Sequence, residues 1–530
     1  MSKRDTDHPI TAYKRPIPYS AEMVYVGGAQ SSSAAVPKMN KTSTYGYMLA
    51  FAAAMGGLLF GYEIGVVSQV LGMPGFQLQF GSSPGVSADG ITLIADKLAT
   101  GKVDQLTTFT FLAGCFFGAL IVSYMADAFG RKRSIIIGGL GFLVGGAIQT
   151  TASGFTAYSS GRVISGLGIG VLSMCSPLYI SEAAPSEIRG RMLTVQQLMI
   201  TIGILVASIF NAIFIILWED KPASWDLEWR LSMAMQCLPA LLLVVVMFVM
   251  PESPRWLATR GRDQEAITII GKLRSETSRD AGTIAEYKII TDSIESERLV
   301  GNGSWSELFV PGLRNRLLIA MTLQFWQQWT GINVILYYQS GLLEAMGLSH
   351  FAATVQFTLA NNVVNFLGTF PGMYLIERLG RRKLLLFGGI GMGLSHLLVF
   401  SFLSAKNSTG SFFYSYLAIF SMYLFVLCFS STWGPVVWAY QSEIFPQRVR
   451  AKGTGAATMS NWFWNAIIAY VAVNMREALA EKIYLVFMGT GFTMATFTYL
   501  FVPETMGRTL EEMDELFGTP QNSLEYGKSK

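Results

Sequence analysis

The sequence predicts an all-α membrane protein with twelve transmembrane helices in two six-helix, pseudo-symmetric halves, joined by a cytoplasmic helical linker. Three observations predict this architecture: a strongly apolar composition, a series of long apolar stretches, and a set of motifs that occurs twice. The 530 residues are 51% hydrophobic and only 14% charged, whereas a soluble protein carries about 25% charged residues. Most of the chain is therefore expected to lie in a lipid bilayer.

Twelve apolar stretches are each long enough to cross a hydrocarbon layer about 30 Å thick. They cover residues 45–71, 106–126, 134–152, 155–180, 192–217, 231–250, 315–345, 351–376, 383–404, 412–440, 453–474 and 483–502. Residues 1–44 precede the first stretch and lack the apolar core of a signal peptide, so we expect a disordered cytoplasmic tail.

The basic clusters of the chain follow the even-numbered stretches. They are Arg131, Lys132 and Arg133; Arg189 and Arg191; Arg378, Arg381, Arg382 and Lys383; and Arg448, Arg450 and Lys452. Because positively charged loops stay in the cytoplasm, both termini are expected there. Since the clusters lie at the ends of the stretches, they argue against a nucleic-acid partner.

Three acid–loop–base motifs recur in the same order. The pairs are "DAFGRKR" from Asp127 and "ERLGRRK" from Glu377, "EAAPSEIRGR" from Glu182 and "EIFPQRVRAKG" from Glu443, and "PESPRW" from Pro251 and "PETMGR" from Pro503. The offsets are similar: 250 (377 − 127), 261 (443 − 182) and 252 (503 − 251). The repeat predicts halves at residues 45–250 and 313–503, a linker at 251–312 with amphipathic helices, and a cytoplasmic tail at 504–530.

Two packed halves with a site near the bilayer midplane are the plan of secondary transporters. A receptor or scaffold that does not transport is the alternative, but the Glu, Arg, Gln and Asn residues inside the stretches favour transport. The segment "GLGIG" at residues 166–170 faintly resembles a nucleotide-binding loop. It lies inside an apolar stretch, where close helix packing explains its glycines better. No enzymatic activity, cofactor or metal is predicted.

Several specific motifs carry a family resemblance. They are "GRKR" and "GRRK", "PESPRWL", "QQWTGINVILYY", "GPVVW" and "VPETMGRTLEE". With them the chain resembles the sugar porter family of the major facilitator superfamily, from about residue 45 to 517. The stretch "GYEIGVVSQVLGM" is similar to fungal sugar/proton symporters, including fructose and pentose carriers. The resemblance implies alternating-access transport of a hexose or pentose with a proton, by a protein that we expect to be a monomer in the plasma membrane.

A sugar presents a ring of hydroxyls and an apolar face, so its site needs amide side chains and an aromatic surface. The seventh stretch offers Gln327, Gln328 and Asn333, and a break near Gly331 is needed to bring Asn333 to the site. The resemblance adds Gln197, Asn365, Trp438, Asn461 and Asn465, with Trp438 stacked on the sugar. The alternative for any one amide is a hydrogen bond between helices, worth about 0.6 kcal/mol.

The repeated motifs also predict a cytoplasmic gate of ion pairs. The expected pairs are Asp127 with Arg131, Glu182 with Arg189, Glu377 with Arg381, and Glu443 with Arg450. The resemblance implies that such pairs bridge the halves when a carrier opens outward. The alternative is that the arginines only hold loops in the cytoplasm, which leaves the acidic partners unexplained.

Gly434 and Pro435 are expected to interrupt the tenth stretch, because proline removes a backbone hydrogen bond and clashes with the preceding turn. The interruption is either a hinge for closing the outer side or a static kink.

Glu63 is a carboxylate inside the first stretch, where a charge costs about 2.5–3.5 kcal/mol. It is a structural acid, a ligand for a sugar hydroxyl, or the proton carrier of a symporter. Arg162 is a cation inside the fourth stretch, and the resemblance pairs these two stretches. Family symporters usually have Asp at this position and many facilitators have Asn; glutamate keeps the titratable group. Proton coupling is favoured over an uncoupled facilitator, and a sugar sensor is the third alternative.

Overall fold

Residues 44–80, 85–86, 93–94, 97–183, 189–218, 225–300, 303–507, 513 and 516–517 are described by the structure, which is a computed structural model. All of them belong to one unit, residues 37–530. Apart from Thr44, the predicted N-terminal tail therefore lies outside the described residues, as does most of the chain after residue 507.

Nearly all of the described residues are helical. The N-terminal half contains α1 (Thr44–Val70), α2 (Pro74–Phe80), α3 (Lys97–Phe129), α4 (Arg131–Thr151), α5 (Phe155–Ala183), α6 (Arg189–Trp218), α7 (Trp225–Ala234) and α8 (Cys237–Val249). The linker contains α9 (Pro254–Thr259), α10 (Asp263–Arg274) and α11 (Ala281–Val300). The C-terminal half contains α12 (Leu313–Trp329), α13 (Ile332–Ala345), α14 (Thr358–Leu375), α15 (Arg381–Thr409), α16 (Phe412–Ser431), α17 (Trp433–Glu443), α18 (Gln447–Leu479) and α19 (Ile483–Phe501).

Short elements complete the described chain. They are the 3₁₀-helices Trp305–Phe309 and Ala480–Lys482, a π-helix at Ala352–Phe357, and the antiparallel strands β1 (Gly85–Val86) and β2 (Leu93–Ile94). The two-residue strands lie between α2 and α3, and the sequence analysis did not anticipate them.

The twelve predicted stretches all form helices, and the predicted fold class is confirmed. Within the described residues, nine segments are long and apolar enough to cross a bilayer, and the last of these, Val449–Phe501, covers most of α18 and all of α19. The other two predicted stretches, 315–345 and 351–376, are interrupted helices: α12 followed by α13, and the π-helix followed by α14.

Prolines fix two further interruptions. A proline ring clashes with the carbonyl group four residues before it, which here means Met235 for Pro239 and Ser431 for Pro435. The chain accordingly turns between α7 and α8 at Met235, and between α16 and α17 at Thr432, whose φ and ψ are −132° and −83°. The interruption that Gly434 and Pro435 predict is therefore present in the turn just before them, and both residues are themselves helical.

The segment "GLGIG" packs helices together, as the composition of that stretch suggested. A Cβ atom on Gly166 would lie 2.2 Å from the carbonyl oxygen of Phe111 on α3, and one on Gly168 would lie 2.5 Å from that of Gly138 on α4. Only glycine permits such close backbone contact, so these residues join α5 to its two neighbours.

The linker helices have their own small core. Leu257 of α9, Ala266 of α10 and Ile294 of α11 are buried against one another. Arg274 is buried at the end of α10 and binds Glu276 and Glu286, each at 3.0 Å. Apolar residues at helical spacing thus fold the linker into an amphipathic bundle.

A carboxylate caps the start of α4. Glu252, just after α8, accepts hydrogen bonds from the backbone amides of Arg131 at 2.9 Å and Lys132 at 3.0 Å. The first amides of a helix have no partner within the helix and carry a partial positive charge, so a carboxylate there is stabilising. Gly130 makes room for it: its φ is 93°, and a Cβ atom would lie 2.3 Å from the Glu252 carboxylate.

The second half repeats this capped turn. Glu504, just after α19, accepts from the backbone amides of Arg381 at 2.9 Å and Arg382 at 3.0 Å. Gly380 has a φ of 83°, and a Cβ atom would lie 2.4 Å from the Glu504 carboxylate. The duplicated motifs therefore form the same capped turn in each half. Both turns lie at one end of the helical bundle, and we call this end the signature end.

Replacing Gly380 with alanine should lower the stability of the purified protein in detergent. Its φ of 83° and ψ of 170° belong to a region that costs a non-glycine residue about 1–3 kcal/mol, and the new methyl group also displaces Glu504. Gly410→Ala is the matched control, because Gly410 has a φ of 70° but open space around its Cβ position. Thermal unfolding should show the larger loss for Gly380→Ala; equal losses would mean that the capped turn contributes nothing.

Candidate functional site

Glu63 and Arg162 form a buried ion pair between α1 and α5. Only 1% of each residue is exposed, and Arg162 Nη1 contacts Glu63 Oε1. Within the described part of the chain, neither carboxylate oxygen of Glu63 accepts a further hydrogen bond. The carboxylate therefore depends on Arg162 for its charge balance, since an isolated buried charge is strongly destabilising.

Arg162 has more partners than Glu63. Its Nε donates to the carbonyl oxygen of Thr107 at 3.0 Å, and Nη1 lies 3.5 Å from Gln149 Oε1. The guanidinium carbon also lies 4.6 Å from the centre of the Phe111 ring, a cation–π contact. Arg162 would therefore keep several favourable contacts if protonation neutralised Glu63.

Four amide side chains form a continuous hydrogen-bonded row in the C-terminal half. Asn461 on α18 donates to Gln324 Oε1 at 2.5 Å and to Gln327 Oε1 at 2.8 Å, both on α12. Gln324 donates to Gln441 on α17 at 2.7 Å, and Gln327 donates to the carbonyl oxygen of Trp433 at 2.8 Å. The row brings the predicted residues Gln327 and Asn461 together.

Two other predicted amides meet across the break between α12 and α13. Asn333 donates to Gln328 Oε1. The contact is possible because Gly331 takes the left-handed conformation, with φ 86° and ψ 3°. Asn465 on α18 donates to the hydroxyl of Tyr337 on α13 at 3.4 Å. The break that the sequence required for Asn333 is therefore present at Gly331.

Gln197 and Trp438 line a cavity between α6 and α17, in opposite halves. The lining also includes Phe60 of α1 and extends toward the signature end through Ser442 and Arg450. The remaining predicted residue, Asn365, is buried on α14. On the same helix, Thr369 contacts Thr201 of α6 at 3.2 Å, which places Asn365 at the interface of the two halves.

Tyr337 connects the ion pair with the amides. Its hydroxyl group is near enough to Arg162 for the two to interact electrostatically, and it accepts the hydrogen bond of Asn465. Tyr337 therefore lies between Arg162 and Asn465, one of the predicted amides.

Polar contacts join the halves at the end of the bundle opposite the signature end. Ser340 donates to the carbonyl oxygen of Ser68 at 3.2 Å, and Gln69 donates to that of Thr354 at 2.7 Å. Nearby, Asn362 donates to Ser208 Oγ at 2.5 Å. These contacts bring α1 and α6 of the first half against α13, the π-helix and α14 of the second.

At the signature end of the first half, Arg131 is the centre of the ion pairs. It lies 2.9 Å from Glu182 and 3.6 Å from Asp127. Ser253 donates to the other oxygen of Glu182 at 2.6 Å. Glu182 thus pairs with Arg131, because the capped turn holds Arg131 beside the end of α5. The expected pairing of Glu182 with Arg189 stays a prediction, since the side chain of Arg189 lies outside the described residues.

The second half repeats this arrangement around Arg381. Arg381 binds Glu443 through two contacts of 2.5 and 3.1 Å, and Thr505 donates to Glu443 at 2.9 Å. The expected pairing of Glu443 with Arg450 is therefore wrong: the Nε of Arg450 donates to the carbonyl oxygen of Phe445 at 3.2 Å. Glu377 lies in the turn between α14 and α15.

Gln324, Gln441 and Tyr337 were not predicted. Helical spacing would have indicated all three: Gln324 lies four residues before Gln328, and Tyr337 lies four residues after Asn333, on the same helical faces. Gln441 lies three residues after Trp438 and is likewise on its face of α17.

Comparisons with known proteins point to one family. The family model described as "Sugar (and other) transporter" matches residues 49–517. The low-affinity glucose transporter HXT4 of Saccharomyces cerevisiae is 32% identical over 475 residues, covering 88% of this chain and 79% of that protein. Hexose transporter 2 of Kluyveromyces lactis is 32% identical over 487 residues, covering 89% of this chain and 82% of that protein.

Solved structures give the same result. The major facilitator superfamily proton:xylose symporter XylE, bound to 6-bromo-6-deoxy-D-glucose, matches with a TM-score of 0.77 and 28% identity, over 90% of this chain and 100% of that one. The inward-open conformation of XylE from E. coli matches with a TM-score of 0.69, over 88% of this chain and 98% of that one.

Replacing Arg162 with methionine should destabilise the protein by about 3–5 kcal/mol, because it leaves Glu63 charged and unpaired in the interior. Adding Glu63→Gln should restore much of the loss. Arg262→Met is the control, since its ion pair with Glu265 is about half exposed on both sides and pairs of that kind contribute little to stability. Thermal unfolding in detergent measures all of these variants; equal losses for Arg162→Met and Arg262→Met would contradict the account.

Proposed function

The chain belongs to the sugar transporter family of the major facilitator superfamily, and from this premise we propose that it is a proton-coupled carrier of a monosaccharide, a hexose or a pentose. It is a multi-pass membrane transporter and not an enzyme. The observation that carries the proposal of proton coupling is the buried pair of Glu63 and Arg162, in which neither carboxylate oxygen accepts a hydrogen bond from another described residue. The XylE structure that matches with a TM-score of 0.77 is named a proton:xylose symporter.

In the proposed site, amides from both halves bind the sugar hydroxyls. The candidates are Gln197, Gln327, Gln328, Asn333, Asn365, Asn461 and Asn465. Each amide can both donate and accept, which suits hydroxyls that do the same. Trp438 supplies an apolar face for the C–H groups of the ring, and its position in a cavity with Gln197 supports this role.

In the proposed cycle, the outward-open carrier binds a proton at Glu63 and a sugar at the amides. Neutral Glu63 no longer holds Arg162, which retains the carbonyl oxygen of Thr107, Gln149 and the ring of Phe111. After the carrier turns, the proton and the sugar leave inside and the ion pair forms again. One charge moving through 100 mV supplies about 2.3 kcal/mol, enough for about 50-fold accumulation of sugar.

The proposal includes the placement of the chain and the roles of its remaining predicted residues. We place the signature end and both termini in the cytoplasm, and the chain in the plasma membrane as a monomer surrounded by lipid. The halves are residues 45–250 and 313–503, joined by the linker 251–312. Asp127, Arg131, Glu182, Arg189, Glu377, Arg381, Glu443 and Arg450 form the cytoplasmic gate. Gly434 and Pro435, just after the interruption at Thr432, form the hinge of the tenth span.

An uncoupled facilitator is the second candidate. The names of the yeast relatives state glucose or hexose transport without a proton. In that case Glu63 and Arg162 would only fasten α1 to α5, and uptake would stop once the sugar had equilibrated.

Glu63→Gln should abolish uphill uptake while sparing exchange. Wild-type protein in liposomes should accumulate labelled sugar when the outside is made acidic, whereas the variant should only equilibrate it, because glutamine carries no proton. Exchange of labelled for unlabelled sugar needs no net proton movement and should persist. Glu265→Gln, which alters an exposed linker carboxylate, is the control and should accumulate sugar normally. Wild-type uptake that ignores the gradient would favour the facilitator.

Gln328→Leu should weaken sugar binding about tenfold, the effect of losing one hydrogen bond. Leucine has a similar volume but can bind neither Asn333 nor a hydroxyl group. Gln264→Leu, on the exposed face of α10, serves as the control. Equilibrium binding of labelled sugars to purified protein measures both; an unchanged affinity in Gln328→Leu would remove this residue from the site.

A further inference from the structure

Two side chains from other helices bind the backbone at the break between α12 and α13. The carbonyl oxygen of Trp329 accepts a hydrogen bond from Thr490 Oγ1 of α19 at 2.8 Å. The carbonyl oxygen of Thr330 lies 2.9 Å from His396 Nε2 of α15. Backbone groups freed by a break inside a membrane need partners from neighbouring helices. The side chains of Thr490 and His396 therefore supply the hydrogen bonds that backbone amides of the next helical turn would otherwise donate to these two carbonyl groups.

His396 is the only titratable residue among the contacts just described, and it is buried at 1% exposure. A carbonyl oxygen only accepts, so Nε2 carries the hydrogen. Among the described residues, Nδ1 has no hydrogen-bond partner, and rings surround the imidazole: the centre of Phe425 lies at 4.3 Å and that of Phe487 at 5.5 Å. The side chain is therefore a neutral donor aimed at one backbone oxygen, and the proposed transport cycle gives it no other task.

Thr490 and Phe487, both on α19, also contact the break. The hydroxyl of Thr490 also reaches the carbonyl oxygen of Phe487 in its own helix at 2.9 Å, so its hydrogen is shared. The Phe487 ring lies 3.0 Å from the position that a Cβ atom of Gly331 would take. Helices α15 and α19 together fix the place where the chain turns.

The break sets the geometry of the proposed sugar site. Gln328 precedes it and Asn333 follows it, and the two are hydrogen-bonded to each other. Further along α13, Tyr337 meets Asn465, and Ser340 contacts Ser68 of the other half. A shift at the break would therefore move Asn333 relative to Gln328. It would also alter the contact of Ser340 with Ser68, which joins the two halves at the end of the bundle opposite the signature end.

We propose that His396 and Thr490 are positioning residues that hold the α12–α13 break, orient Asn333 toward the sugar, and fix the pivot about which α13 moves. Neither is placed in contact with the sugar. The proposal rests on the sugar-transport function proposed above. The part that concerns the backbone, that the two side chains stabilise the break, can be measured without a sugar.

The test compares variants that remove a donor with variants that keep one. His396→Leu removes the donor at similar bulk, whereas His396→Gln places an amide nitrogen near the position of Nε2. Thr490→Val removes the hydroxyl group without changing the shape of the side chain. Thr493→Val is the matched control on α19, because the Thr493 hydroxyl binds only the carbonyl oxygen of Gly489 in its own helix among the contacts of the described chain.

Two properties of the purified, folded protein are measured: the affinity for a panel of labelled monosaccharides, and amide hydrogen exchange in peptides that cover residues 331–336. His396→Leu should weaken the affinity roughly tenfold, about the effect of one misplaced hydrogen bond, and should speed exchange. His396→Gln should restore most of both properties. Thr490→Val should show a smaller change in the same direction, since its hydrogen is shared, and Thr493→Val should show none.

If folded His396→Leu has the sugar affinity and the amide exchange rates of the wild-type protein, the proposal is overturned. It is also overturned if His396→Gln restores neither property relative to His396→Leu. If His396→Leu does not fold, the difference between Thr490→Val and Thr493→Val decides the question. A wild-type protein that binds no monosaccharide would overturn the proposed function instead, while the exchange pattern would still decide whether the two residues hold the break.

Discussion

The ion pair of Glu63 and Arg162 is the interaction on which the interior of the N-terminal half depends. Placing two charges between membrane helices is costly, and the cost is offset only because the guanidinium group is surrounded by partners. Arg162 on α5 contacts α1 through Glu63, α3 through Thr107 and Phe111, and α4 through Gln149. One side chain therefore ties together four helices, and any change in the charge of Glu63 is a change in how those helices are held.

The two halves share a scaffold but differ in their interior chemistry. The capped turns at Gly130 and Gly380 are alike in backbone conformation, in the capping carboxylate and in the arginine that follows. The ion pair of Glu63 and Arg162 lies in the first half, whereas the row of amides from Gln441 to Gln327 lies in the second. In the proposed mechanism this arrangement separates proton binding from most of the sugar binding.

Much of the fold could be predicted from the sequence, because membrane helices are identified by their apolar composition and their length. All twelve stretches are helical, and the confirmed family follows from short motifs. The exact breaks were harder to place: Pro435 acts on the carbonyl group four residues before it, so the chain turns at Thr432. Of the predicted gate pairs, Asp127 with Arg131 is present at 3.6 Å, whereas Glu182 and Glu443 bind arginines that the sequence did not pair with them. Repeats along the sequence pair nearby residues, whereas the fold places Arg131 beside Glu182 and Arg381 beside Glu443.

Within the candidate site, the sequence and the resemblance pointed to the amides but not to what supports them. Gln324 shares a helical face with Gln328, so spacing alone would have indicated it. His396 shows no such signal. It is one polar residue in a long apolar helix, and its importance depends on a carbonyl group 66 residues away in the chain. Contacts of this kind arise from tertiary packing, which no local pattern encodes.

The central claim is that a proton enters with each sugar. It is tested most directly by following the internal pH of liposomes that contain the wild-type protein, with no gradient imposed, while each monosaccharide is added outside. The account predicts that a transported sugar acidifies the interior, in proportion to the labelled sugar that enters. Entry of labelled sugar with no change in internal pH would contradict it, and would leave the ion pair of Glu63 and Arg162 as a structural fastening of the first half.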